Sequence, residues 1–575
     1  MNSVSSRLRF VLHAIVLATA LGALVPPAAG AEDIFPLKDV ERGMKGEGKT
    51  VFQQTEIITF SFEVVDILRN WLPGQDVILV KCGGKEVEET GIASGMSGSP
   101  CYIDGKLLGA LAYAWPWSRE ALAGITPIEA MMEIPRRPLE KKVEFPAGRG
   151  AQGLQPIKTP LFVSARSARA FAWLEKACEP YHLKPVGAGA SGGAFADLDE
   201  ELRPGSAVGV LLMEGDMEAY AVGTVTRVDG NRLLAFGHSF LQEGEYSLPI
   251  TNAWTYTVVS MDPGSFKMSA TGKVMGAMVQ DRLTGVYARL DKKASLVPMT
   301  VTVRNPRIKT ERTYSVRLAR HKNFTPMMAS FALSDALDAA EPGPGEVTQN
   351  VRLTFKPEGY DEVSIRMYYS MAGGWWGRNF TAPLSSFLNN EFEKVEVESI
   401  SVDAEIVHEA RTASLVGLKI DKREYLPGET AHFHVQIMPY RKKIFWHHFP
   451  YKIPENLEPG AYTVTLCPAD EAPMAEERPL VEDIPTLLDA LRALNLRRAD
   501  QLVAVVNRPG LILQHKAERY RDLPLHILYT LLPPNESGGF RVESRYWKSE
   551  PQDVDYFLAG SRRIQIVVKK KAGGK

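Results

Sequence analysis

The chain holds 575 residues, 45% of them hydrophobic and 23% charged, with 67 basic side chains against 68 acidic ones. Domains run to about 100–200 residues, so one hydrophobic core cannot absorb this length and three or four domains are expected. The balanced charge offers no basic surplus for phosphate backbones, which excludes nucleic acid as the expected partner.

Residues 1–31 carry Arg7 and Arg9, an apolar run from Phe10 to Leu24, and small residues ending Ala29-Gly30-Ala31. That order reads as a secretory signal peptide, so the chain is expected to be exported. The run is shorter than the roughly 20 residues a bilayer span needs, so no retained span is expected. Four cysteines, Cys82, Cys101, Cys178 and Cys467, are too few for a disulfide scaffold. Cys82 and Cys101 flank the motif GMSGSP, and they either bridge or stay as buried thiols.

Residues 32–136 are rich in strand-forming runs (TVFQQTEIITFSFEVVDIL, DVILVKCGG, CYIDGKLLGALAYAW), with Asp104-Gly105 as a hairpin turn. A short helix is expected in ITPIEAMMEI, with Thr126 and Glu129 as a capping box and Pro127 at the first helical position. Residues 137–203 read as a connector with a helix in SARSARAFAWLEKA. Its GAGASG matches the dinucleotide fingerprint in letters only: no strand is expected before Gly187, and an acidic loop follows Gly192. No cofactor is expected.

Strands return over 204–394 (SAVGVLLM, EAYAVGTVTRVDGNRLLAFGHSF, SFKMSATGKVMGAMVQDR, LVPMTVTVRN), with turns at Asp229-Gly230 and Asp262-Pro263-Gly264. TVTVRNPRIKTERTYSVRLARHKNFTP loosely echoes KTVFQQTEIITFSFEVVDIL, a candidate internal duplication. The pair Trp375-Trp376 is either an exposed recognition surface or a loop packed on a neighbouring domain. Residues 395–480 carry the short strands and Pro-Gly turns of an immunoglobulin-like sandwich. Residues 481–575 read as a small α/β domain with a solvated basic tail.

The chemistry-bearing stretch is GMSGSP. Gly95, Gly98 and Ser99 let the backbone turn sharply around Ser97, and the N–H groups of Gly95 and Ser97 can serve a developing oxyanion. The bland reading is an ordinary tight turn. A nucleophilic serine needs a base, and His238, in LLAFGHSF, stands at the end of an apolar strand beside Gly237. The alternatives are weaker. His447 and His448 lie in FWHHFPY, and His432 with His434 alternate along a sandwich strand without further metal ligands in view. No metal site is expected.

GMSGSPCYIDGKLLGALAY and GTVTRVDGNRLLAFGHSF together resemble the SpoIVB peptidase family, bacterial serine peptidases of chymotrypsin-like class. The resemblance covers roughly residues 40–330. It implies a two-barrel core, Ser97 as nucleophile, His238 as general base, and export to the periplasm or cell exterior. The order departs from the family, in which the histidine segment comes first. The family's aspartate, upstream of the serine, has no counterpart in VKCGGKEVEETGIAS; Asp76 or Asp281 could orient His238, or a Ser-His dyad acts alone. Met96 stands where trypsin-like enzymes hold the Asp used in zymogen activation, so that switch is not expected, and no PDZ pattern is found. Two readings follow: an exported serine endopeptidase acting on protein or peptide, its own chain included, or an inactive envelope binding or assembly protein on the same scaffold.

Overall fold

We describe the fold from a computed structural model that covers residues 33–570 apart from short internal stretches, the longest being 137–152, 474–480 and 528–539. The expected signal peptide and Trp375 lie outside the described residues, as does the side chain of Trp376. Strands take up 54% of the described residues and helices 15%, so the protein is mainly β. No helix among the described residues is long and apolar enough to cross a membrane.

Six strands make the first unit: β1 (Lys45–Gln53), β2 (Glu56–Leu72), β3 (Gln75–Gly83), β4 (Pro100–Ile103), β5 (Lys106–Ala114) and β6 (Leu122–Pro127). Each pairs antiparallel with the next around the order β1-β2-β3-β6-β5-β4, and β4 pairs back onto β1, which closes a barrel. Phe60, Phe62, Val64, Ile78, Val80, Leu111 and Ile125 fill it. The β4–β5 hairpin turns where the sequence marks it, with Asp104 at φ +49° and Gly105 at φ +73°, the left-handed pair that a tight hairpin demands.

A second set follows: β7 (Ala207–Gly215), β8 (Ala219–Asp229), β9 (Arg232–Ala235), β10 (Gly244–Val259), β11 (Phe266–Arg282) and β12 (Gly285–Arg289). Its antiparallel pairings run β7-β8-β9-β12-β11-β10 and return to β7. Strand for strand, this is the order of the first ring. The internal repeat is therefore β1–β6 with β7–β12. The echo seen in sequence falls elsewhere, on the hairpin Leu296–Asn305/Thr310–Ala319, which extends the sheet beside β7.

The connector's helix, Ala168–Cys178, begins at Ser167, whose side chain accepts a hydrogen bond from Ala170 N–H. A strand does precede Gly187: Leu183–Gly187 runs parallel to Thr159–Val163. The expected capping box does not form. Thr126 is the penultimate residue of β6, and its hydroxyl donates to the Gly237 carbonyl at 2.6 Å instead of capping Ile128–Met132, where Pro127 holds the cap position. A tertiary partner outcompetes the local one.

The boundary expected at 395 also shifts. Val397–Val407 pairs with Leu296–Asn305 and Thr348–Pro357 in the large sheet, because half-buried alternation identifies a strand but not its sheet. The region 481–575 is not a separate α/β domain. Gln501–His515 and Arg562–Val568 flank Gly460–Pro468 in one sheet, and Phe557–Ala559 joins Thr412–Ile420 in another. Both sheets share a core containing Leu415, Phe433, Phe449, Leu466, Leu502 and Ile566. The helix Ile484–Arg492 packs into the large core through Ile484, Leu488 and Leu491.

Candidate active site

The segment from Ser94 to Ser99 sits where the two rings meet. A Cβ at Gly98 would overlap the Thr224 carbonyl oxygen and approach Phe236 N to 2.5 Å; one at Gly237 would come within 2.8 Å of Ala110 Cβ. Gly98 (φ +97°) and Gly95 (φ +94°) both lie in the left-handed region. Only glycine meets both demands at Gly98, which is why the GMSGSP turn can press against the strand leading to His238.

Every carbonyl of the turn from Ser94 to Gly98 is held. Ser94 O accepts from Lys267 N–H (3.0 Å), and Ser97 O accepts from Thr224 N–H (2.8 Å). Met96 O accepts from Ser99 N–H (3.0 Å) and the Ser99 hydroxyl (2.6 Å). The hydroxyls of Thr224 and Thr226 donate to Gly95 O and Gly98 O, each at 2.8 Å. On the donor side, Ser94, Met96, Gly98 and Ser99 N–H reach Ser265 O, Ala93 O, Leu111 O and Met96 O. Among the described residues, two donors of the turn have no acceptor: the N–H groups of Gly95 and Ser97. Buried backbone donors are almost always paired, so two orphans beside one serine are unusual. They are the pair expected to bind an oxyanion.

Ser97 is wholly buried, and its Oγ makes no hydrogen bond among the described residues. His238, 2% exposed, follows Phe236 and Gly237, both at φ +68°. A bulky residue held there stores backbone strain, and such strain concentrates at functional sites. His238 Nδ1 lies 2.8 Å from the Ser239 carbonyl oxygen. A carbonyl only accepts, so Nδ1 carries the proton and Nε2 keeps its lone pair for use as a base.

The two aspartates differ. Asp281 is fully buried and accepts from Phe240 N–H (2.7 Å) and Leu241 N–H, so it shapes the loop just after His238. Asp76 is engaged in its own hairpin by Asn70 N–H (2.7 Å) and Arg69 (2.8 Å). The hydrogen bond from Asn70, helped by Arg69, holds its carboxyl below the usual range.

The sequence reading missed Lys267. Its side chain is completely buried, runs along Gly95, and donates from Nζ to Thr50 Oγ1 (2.6 Å) and Thr224 Oγ1 (3.1 Å). Burial pulls its amine down to about 7. In SFKMSAT the apolar Phe266 and Met268 would be taken as the inward residues. Both pack on another cluster, so both faces of the strand start are covered and the lysine points inward. A lysine alternating with two large hydrophobes was the available signal.

Elsewhere, all four cysteines are buried free thiols, and burial pushes Cys82 up to about 12. His432 Nδ1 meets His448 Nε2 at 3.0 Å, but no group of three or more metal-ligating side chains able to hold a metal occurs among the described residues. Two cavities, of about 350 and 230 Å³, are lined by Arg166, Asp216 and Tyr314 and by Trp173, Tyr181 and Met327 respectively, away from the turn. No family model, curated protein or solved structure matches the chain.

Proposed function

We propose that the protein is an exported, SpoIVB-like serine endopeptidase, with the two rings as a chymotrypsin-like barrel pair and the C-terminal sandwich as an immunoglobulin-like accessory. The carrying observation is the turn itself: its carbonyls are all tied down, and among the described residues its two N–H groups without an acceptor are those of Gly95 and Ser97. In this reading Ser97 Oγ attacks the scissile carbonyl and His238 Nε2 takes the Oγ proton. The carbonyl oxygen becomes an oxyanion between the two N–H groups. Collapse breaks the C–N bond, and His238 returns the proton to the leaving amine. Water then releases the acyl group by the same route. The Ser239 carbonyl fixes the histidine tautomer, a task an aspartate performs in other triads, and Asp281 anchors the loop beyond it.

The second reading, a non-cleaving envelope protein on the same scaffold, is favoured by the burial of Ser97 and His238. The two separate on incubation with an unfolded protein such as casein, followed by mapping of new chain termini. Cleavage by the native protein and none by Ser97→Ala supports the peptidase. New termini within the protein's own sequence identify self-processing, and identical termini from both proteins overturn the peptidase reading.

A further inference from the structure

Lys267 stands at the back of the turn. Its aliphatic stem packs along Gly95, where an added Cβ would lie 3.4 Å from its Cβ and Cδ. Its amine donates to the Thr224 hydroxyl at 3.1 Å, and that hydroxyl donates to Gly95 O at 2.8 Å. A two-bond chain thus joins Nζ to the residue whose N–H would bind the oxyanion.

The cage suits a neutral amine. A lysine cation has three N–H donors, and the described acceptors are two hydroxyls, Thr50 from β1 and Thr224 from β8. From the first ring, the turn and the second ring, the groups recorded facing Nζ are Thr50, Gly95 and Thr224. No charged or titratable side chain among the described residues acts on it, and burial alone moves its proton affinity. An uncompensated buried cation is costly, and a negative charge forming close by favours it.

We propose that Lys267 is a positioning residue for the oxyanion, acting through Thr224 and Gly95, and that its cation is matched only when negative charge forms at the Gly95 and Ser97 N–H groups. This rests on the reading of Ser97 as a nucleophile. Lys267 forms no covalent bond to the substrate; its Nζ gains one proton from solvent and returns it to solvent when the oxyanion collapses.

The test is the second-order rate at which a fluorophosphonate labels Ser97, measured from pH 6 to 9.5 in wild type, Lys267→Met, Lys267→Arg and Thr224→Val. The wild-type rate is expected to fall as pH rises above about 7, where Lys267 loses its proton. Lys267→Met is expected to be slower by about tenfold to a hundredfold at pH 7, the scale of one charge acting over several ångströms at intermediate dielectric, and to lack the alkaline fall. Lys267→Arg keeps the charge and holds its rate into the alkaline range, whereas Thr224→Val is slowed. The wild-type profile stands even where a variant fails to fold: its lack of an alkaline fall overturns the inference. A Lys267→Met protein labelled at the wild-type rate and with the wild-type profile does the same while leaving the peptidase reading intact. A wild type unlabelled at every pH overturns both.

Discussion

Replacing Lys267 by Met is expected to stabilise the ring junction at low pH and destabilise it at high pH. Burial lowers the amine from 10.5 to about 7. A depressed folded-state value adds stability above about pH 10.5 and loses it as pH falls toward 7, because the unfolded chain binds the proton more readily. At 1.36 kcal/mol per unit, the burial penalty approaches about 5 kcal/mol below pH 7. Removing the amine relieves it but forfeits two hydrogen bonds, about 0.5–1.5 kcal/mol each, and leaves the Thr50 hydroxyl without its described partner, about 1–3 kcal/mol. The net expectation at pH 6 is a gain centred near about 1 kcal/mol (about −1 to +3), shrinking with pH and turning into a loss between about pH 7.5 and 9. The chain holds several cores, so a single unfolding midpoint mixes them. Native-state hydrogen exchange of amides in β1 and at the start of β11 reads the junction locally. A difference between the proteins that does not change with pH would refute the claim that this lysine is buried without a charged partner.

Gly98→Ala should disrupt the junction by more than about 3 kcal/mol, since left-handed strain adds to overlap with backbone atoms that no rotamer relieves. Gly105→Ala, equally left-handed but with open space around its Cβ, should cost only about 1 kcal/mol; equal thermal shifts for the two would contradict the packing argument. Asp281→Ala strips one buried and one half-buried N–H group of their acceptor, costing about 2 kcal/mol locally. It should also slow labelling of Ser97 by displacing His238, and an unchanged rate would remove Asp281 from the site. Cys82 and Cys101 should resist alkylation in the folded protein at pH 8, because both thiols are buried; rapid modification would show that the first barrel opens.

What could be read from sequence was local. Asp104-Gly105 encodes its hairpin through residues that tolerate positive φ, and Ser167 caps its helix three residues from Ala170. Ser97, His238 and the amides proposed to hold an oxyanion could be singled out as candidates because small residues and strand ends mark them. Ring closure depends on β4 meeting β1 and β10 meeting β7, long-range pairings that alternation does not encode. The helix Phe324–Ala340 is buried on nearly every side, so it lacks the polar stripe that periodicity needs. Thr126 looked like a cap because its rival acceptor, Gly237 O, lies 111 residues away. Lys267 was hidden for a related reason: its threonine partners come from two other strands, Thr50 and Thr224.

The central claim is that Ser97 is a nucleophile prepared by the turn around it. Treating the native protein with a fluorophosphonate and mapping the adduct by peptide mass spectrometry tests this most directly. The account predicts one phosphonylated residue, Ser97, with labelling abolished in Ser97→Ala and strongly reduced in His238→Ala. A native protein that stays unmodified, or that carries the adduct on other serines while Ser97 is untouched, would contradict it.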